Sequence, residues 1–180
     1  MSSIFFNFFD EGGQALKFRH LATAFLCNGD KVLLLKRGEH RKMLPGIWSG
    51  VGGHFEEHEM DYPYDACYRE IEEETGIARS DISSLRLQYI LLRRYKDEEI
   101  RHNYMFFGET SRTDIVQTDE GELFWVPKNE WLDRQLSETF TLMLEHYLGR
   151  EASDEAVYVG IADKVGGKLH MHWARCEDFE

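Results

Sequence analysis

A glycine pair, a single glutamate and a run of closely spaced carboxylates fall between Gly52 and Ile77. That grouping constrains the fold more than any other feature of the chain. The run Arg69-Glu70-Ile71-Glu72-Glu73-Glu74-Thr75 is predicted to be helical, within a helix from Pro63 to Thr75 that has proline in its first turn and is stopped by Gly76. On such a helix Glu70, Glu73 and Glu74 stand at i, i+3 and i+4 and share one face. Tyr64, Cys67 and Ile71 line the adjoining face, which can be buried. Like charges at these spacings destabilise a bare helix by roughly 0.2–0.5 kcal/mol per pair. A cation would relieve that repulsion, and oxygen donors at this density suit Mg²⁺ or Mn²⁺ better than zinc. Three glutamates alone would equally describe a solvated helix end. The preceding Gly52-Gly53 and Glu59, with the closing Thr75-Gly76-Ile77, make chance a poor explanation.

The flanking sequence supplies strands. Ala22–Cys27 and Val32–Leu35 flank Asn28-Gly29-Asp30 and read as a hairpin. Residues 38 to 53 hold Pro45 and five glycines, so they read as a long loop or a broken strand. Leu85–Leu92 and Asn103–Phe107 are two more strands, joined by a polar turn at Lys96-Asp97-Glu98, and Leu123–Val126 is a short strand ended by Pro127. A second helix runs from Ser137, its N-cap, to Leu148, with Gly149 as the stop. Its apolar residues, from Phe140 and Leu142–Leu144 to Tyr147 and Leu148, form one broad face. A last hairpin turns at Gly166-Gly167. Strands mixed with two main helices indicate an α/β sandwich.

The chain has 180 residues, 42% apolar and 30% charged, which suits one soluble domain. No apolar run approaches the length of a membrane span, and the aromatic start, Ile4 to Phe9, lacks the basic residues of a secretory leader. Cys27, Cys67 and Cys176 are odd in number and widely spaced, which argues against a disulfide scaffold or a cysteine zinc site and fits the cytoplasm. The net charge of −12 disfavours a polymeric nucleic-acid partner. An acidic protein can still act on phosphates if it first binds cations.

The segment from Gly53 to Ile77 resembles the Nudix box, G-x5-E-x7-R-E-U-x-E-E-x-G-U, with U aliphatic. Gly53 and Glu59 match its opening, and Arg69 to Ile77 match its whole second half. Nine residues, Met60 to Tyr68, stand where the pattern has seven, which reads as a two-residue insertion near Asp61-Tyr62-Pro63, ahead of the helix. The resemblance implies a Nudix-type α/β/α sandwich, with a mixed sheet and a loop–helix–loop catalytic motif. It implies one domain over residues 1–180: a core of about 18–148, an N-terminal arm over 1–17 and a C-terminal β-hairpin extension over 150–180. It also implies a metal-dependent hydrolase that cuts a diphosphate linkage in a nucleoside diphosphate derivative.

By that resemblance Glu70, Glu73, Glu74 and the Gly52 carbonyl would hold Mg²⁺ (or Mn²⁺). Arg69 would orient a carboxylate through a charge-assisted hydrogen bond. A nearby carboxylate would take the proton of the attacking water, and Glu70 is one candidate; a second acid from a later loop serves many relatives as base or extra ligand. The acidic loop Asp119-Glu120-Gly121-Glu122 lies in the matching region, and Glu120 is its candidate. On the substrate side stand Arg37, at the end of the Val32–Leu35 strand in a segment kept basic by Lys36, Arg41 and Lys42, together with Ser49, Gly53 and Glu59. The stretch Leu44 to Gly53 is similar to the one before the box in the MutT-like, oxidised-purine triphosphatase branch. That branch has Trp-Asn-Gly where this chain has Trp48-Ser49-Gly50, and one hydroxyl cannot make an amide's bidentate base contact.

The implied substrate is a small-molecule nucleotide. The first reading is a nucleoside triphosphate, 8-oxo-dGTP-like oxidised purines included, cleaved to monophosphate and pyrophosphate. ADP-ribose, a nucleotide sugar or a dinucleoside polyphosphate is the alternative. A non-catalytic Nudix-fold nucleotide-binding module is disfavoured by the complete carboxylate set, and a homodimer is compatible with the sequence. Trp48 and Trp125 read first as core residues, and His170 and His172 share a strand face without a third ligand.

Overall fold

The structure is a computed structural model and describes residues 17–40, 44–95, 99–117 and 120–177. The N-terminal arm up to residue 16, the turn at Lys96-Asp97-Glu98, and Arg41, Lys42 and Asp119 lie outside the described residues. The strands are β1 (Lys17–Asn28), β2 (Lys31–Arg37), β3 (Trp48–Ser49), β4 (Ile82–Tyr95), β5 (Glu99–Thr110), β6 (Gly121–Pro127), β7 (Tyr158–Val165) and β8 (Lys168–Arg175). The helices are α1 (Pro63–Thr75) and α2 (Glu138–Leu148).

One mixed sheet carries everything, in the order β3-β2-β1-β5-β4-β7-β8, with β6 pairing β2 as well. The β1–β5 and β4–β7 pairs are parallel and the rest antiparallel. Strand alternation sorts the apolar residues onto two faces. Ala22, Ala24, Leu26, Leu33 and Leu35 meet Cys67, Ile71 and Ile77 on the α1 side. Phe25, Val32, Leu34 and Met105 meet Met143 and Leu144 on the α2 side. This is the expected α/β/α sandwich, and the central strands read as continuous apolar runs because both their faces are covered.

Local chemistry sets the element ends. Pro63 opens α1, and Gly76 closes it at φ 72, a left-handed value that only glycine adopts without strain. Ser137 Oγ accepts the Phe140 N–H at 3.3 Å and caps α2. Two expectations shift. The first turn is centred on Gly29-Asp30, since Asn28 is still paired with Lys31. Leu148 is 51% exposed and leaves the buried face of α2, which Met143 and Leu144 carry. Within the loop-rich stretch, Trp48 and Ser49 form the edge strand against Leu35 and Lys36. Among the described residues no helix is long and apolar enough to cross a membrane.

The tail forms the hairpin β7–β8, which joins the sheet through Tyr89 to Leu92 of β4. Arg150 stitches its approach, donating to Gln88 Oε1 at 3.0 Å, Asp154 Oδ2 at 3.0 Å and the Ala156 carbonyl at 2.9 Å. His170 and His172 face out from β8, and the nearest carboxylate oxygen to His172 is Asp163 Oδ2 at 3.9 Å.

Candidate active site

β2 pairs with β1 only at Cys27 and Asn28. The loop Val51 to Phe55 takes up the edge of β1 that this leaves. Val51 and Ala24 exchange backbone hydrogen bonds, the Ala22 N–H donates to the Gly53 carbonyl at 3.0 Å, and the Phe55 N–H donates to the His20 carbonyl. The Gly52 carbonyl, between two bonded ones, receives no hydrogen bond among the described residues. Gly52 lies at φ 145, and a Cβ there would sit 2.1 Å from the Ala22 carbonyl oxygen. A Cβ on Gly53 would sit 2.5 Å from a Glu70 carboxylate oxygen. The glycine pair therefore lets the backbone pass between β1 and α1 with carboxylates pressed against it.

Glu70 and Glu74, one helical turn apart, meet this turn from α1. Glu74 is only 8% exposed and its Oε2 accepts the Gly52 N–H at 2.7 Å. Burial pushes its carboxyl up to about 7; the Gly52 hydrogen bond partly offsets this, while Glu70 and Glu120 push the same way as burial. Burial likewise raises Glu70, against the lowering pull of Arg69. Two carboxyls that resist ionisation at one backbone turn form a place where a cation is favoured.

Arg69 is the hub beside them. Its Nε and Nη2 donate to the two Glu59 oxygens at 2.7 and 2.9 Å, and Nη2 also reaches the His54 carbonyl at 3.0 Å. Nη1 lies 2.9 Å from Glu70 Oε1 and 3.0 Å from Glu73 Oε2. Glu59 is 3% exposed and takes a further hydrogen bond from the Glu56 N–H at 2.8 Å. The guanidinium holds its carboxyl below the ordinary range. The extra residues after Glu59 are absorbed by a short 3₁₀ turn at Glu57–Glu59 and exposed Met60, Asp61 and Tyr62, so Glu59 still reaches Arg69. Glu59 thus acts on the site through Arg69.

The three helical carboxylates do not converge. Glu73 is turned toward Arg69, with its side chain 59% exposed, while Glu74 is buried under Gly52. Among the described residues no group of three or more His, Cys, Asp or Glu side chains is assembled at metal-binding distances. The Arg69 guanidinium draws Glu70 and Glu73 to one side, while the Gly52 N–H holds Glu74 on the other. The donor set nonetheless suits a hard divalent ion, with carboxylate oxygens and a carbonyl grouped at one backbone turn.

A cleft of about 660 Å³ opens beside Gly52, and Arg37, Trp48 and Ser49 line it. Arg37 Nη2 lies 3.9 Å from Glu120 Oε2, and the Glu120 carbonyl accepts the Gly38 N–H, which brings the acidic loop to the same end of β2. Trp125 and Trp48 are both half-buried and pack against the two core clusters; Trp125 Nε1 donates to the Thr113 carbonyl, and Trp48 lines the cleft and packs on Phe124. The cleft floor also carries Arg19, Arg93, Arg101 and Asn103, which the sequence reading did not single out. Their signal was the i, i+2 spacing of Arg101 and Asn103, with no cue to which strand lies beside them.

The NUDIX domain model matches residues 17–144, which is more than half of the chain. The chain belongs to the Nudix family. As a Nudix hydrolase it acts on a nucleoside diphosphate derivative. The Nudix fold recurs in solved structures at low identity. The MutT protein of Bacillus halodurans is 20% identical at a TM-score of 0.68, covering 86% of this chain and 97% of that one. A MutT protein of Methanosarcina mazei is 23% identical at 0.58, over 73% and 94%. The NUDIX domain of Shewanella oneidensis NrtR, solved with ADP ribose, is 17% identical at 0.55, over 79% and 94%.

Proposed function

We propose that this Nudix hydrolase cleaves a nucleoside triphosphate, oxidised purines included, to the monophosphate and pyrophosphate, with Mg²⁺ or Mn²⁺ and in the cytoplasm. The observation that carries the reading is one cleft that joins Arg37 and Ser49 to the Gly52 turn where Glu70 and Glu74 meet. Glu70, Glu73, Glu74 and the Gly52 carbonyl are the ligands proposed for the metal, and a bound divalent ion would neutralise phosphate charge and acidify water.

The chain's own groups account for the rest. Arg37 binds a phosphate of the substrate at the mouth of β2. Ser49 offers one hydrogen bond to the nucleoside, and Gly53 leaves room for the phosphates to approach. Arg69, held by Glu59, positions Glu70 and Glu73. Water attacks one phosphorus of the linkage, the bond from that phosphorus to the bridging oxygen breaks with its electron pair going to the phosphate group that leaves, and Glu120 takes the proton of the attacking water.

The test is a hydrolysis screen with Mg²⁺, Mn²⁺ or EDTA in which the products are identified. Triphosphates are set beside ADP-ribose, nucleotide sugars and dinucleoside polyphosphates, since the Shewanella neighbour was solved with ADP ribose. Monophosphate and pyrophosphate should appear only with metal. Glu73→Gln should weaken metal binding and cut turnover by orders of magnitude, and Arg37→Ala should lower kcat/KM while metal binding persists. Faster cleavage of ADP-ribose than of any triphosphate would overturn the substrate and leave the reaction class standing.

A further inference from the structure

Three arginines cross the floor of the cleft in one row. Strand register pairs Arg19 of β1 with Arg101 of β5, and Arg101 with Arg93 of β4, and all three line the cleft. The flanking rows are Leu21–Asn103–Leu91 toward the glycine turn and Lys17–Glu99–Tyr95 away from it. Glu99 accepts from both Arg19 and Arg101. Among the described residues no carboxylate pairs with Arg93, and the Arg101 guanidinium lies 3.8 Å from the centre of the Tyr95 ring. Among the described residues the row of three guanidiniums thus has one carboxylate, shared by two of them, in a protein whose net charge is −12. Burial, with Arg101 close by, pushes the Arg93 guanidinium below its ordinary range.

Clustered like charges at a half-buried floor are costly unless something negative completes them. A guanidinium offers five N–H donors and no acceptor. The Asn103 amide oxygen already accepts from the Thr23 hydroxyl at 3.2 Å. The floor therefore presents donors and positive charge. It lies three residues along β1 from Ala22, the partner of Gly53, which is about 10 Å at the rise of a strand. That is about one nucleoside away from the proposed diphosphate site. Arg93 also lines an adjoining concavity of about 1030 Å³ beside the β7–β8 hairpin, so a group reaching the row has space beyond it.

We infer that the Arg19–Arg101–Arg93 row binds a second negative charge on the nucleotide, remote from the diphosphate that is cleaved. The inference rests on the reading of the cleft as a nucleotide site. Two sources carry this chemistry: a phosphate on the ribose, and an oxopurine base acidic enough to ionise near neutral pH. A purely structural cluster, stacked on Tyr95 and tied to Glu99, would hold the three strands together without discriminating between nucleotides.

Calorimetric binding with Ca²⁺ in place of Mg²⁺ separates these outcomes without relying on turnover. Adenosine 5′-triphosphate is compared with its 3′-phosphorylated form, and inosine triphosphate with xanthosine triphosphate. At least one charged member should bind tenfold or more tightly than its counterpart. If the base is the source, the preference should vanish when acid neutralises xanthine; if a ribose phosphate is, it should not. Arg93→Gln should bring the ratio toward one, and Arg93→Lys should restore part of it. Ratios within twofold for both pairs would overturn the inference, as would a ratio untouched by Arg93→Gln in a variant that melts like the parent. Selective binding without hydrolysis in Mg²⁺ would keep the row and fail the hydrolase reading, and cleavage without pair preference would do the reverse.

Discussion

At the scale of single residues, two glutamates in this site are shifted in opposite directions from the ordinary carboxyl. Glu74 is raised to about 7 from its ordinary 4.5. Its folded form favours the proton, so stability is full below 4.5 and falls as pH rises through 7, by about 3 kcal/mol for this group in metal-free protein. A divalent ion held at the proposed site would remove that penalty. Added Mg²⁺ should therefore raise Tm more at pH 8 than at pH 5.5, and Glu74→Gln should flatten the profile recorded in EDTA. Equal Mg²⁺ stabilisation at both pH values would refute this. Glu59 is depressed by Arg69, so its contribution is present above 4.5 and is lost as pH falls through its folded value. Arg69→Gln leaves Glu59 buried without its partner and should cost about 3–5 kcal/mol in urea unfolding; a loss under 1 kcal/mol would show that the pair is dispensable.

At the scale of elements, the approach to α1 carries a specific expectation. Met60 and Asp61 are exposed, whereas Glu59 and Arg69 lock the ends of the segment. Deleting those two residues should leave metal affinity within a few-fold, measured by calorimetry; total loss of binding in a folded variant would make the insertion part of the site. The carboxylate helix was legible from the chain because its chemistry is written in local spacing: Pro63, Glu70, Glu74 and Gly76 mean the same thing wherever the helix packs. The turn of Glu73 away from Glu74 was not legible, since it follows from how Arg69 divides its donors. Nor was the arginine row. Arg93 and Arg101 lie on consecutive strands, but Arg19 joins them only through the parallel β1–β5 register, which no local pattern encodes.

At the scale of the whole molecule, the C-terminal hairpin lies outside the span matched by the family model yet is packed into the α2-side core. Trp173 stacks on His146 with ring centres 4.5 Å apart, and Tyr158 and Trp173 both pack on buried Tyr89. Removing residues 157–180 should lower Tm by several degrees or more while metal binding survives in the cold; an unchanged Tm would make the hairpin an independent appendage. The central pairing has a consequence for synthesis. β1 meets β5 in constant register across 82 positions, so the sheet's middle cannot zip up from neighbouring hairpins alone. A ribosome must complete residues 99–110 before Lys17–Asn28 finds the partner that covers its long edge. Until then the apolar strand stands with an open edge on the nascent chain, the kind of surface through which incomplete chains associate.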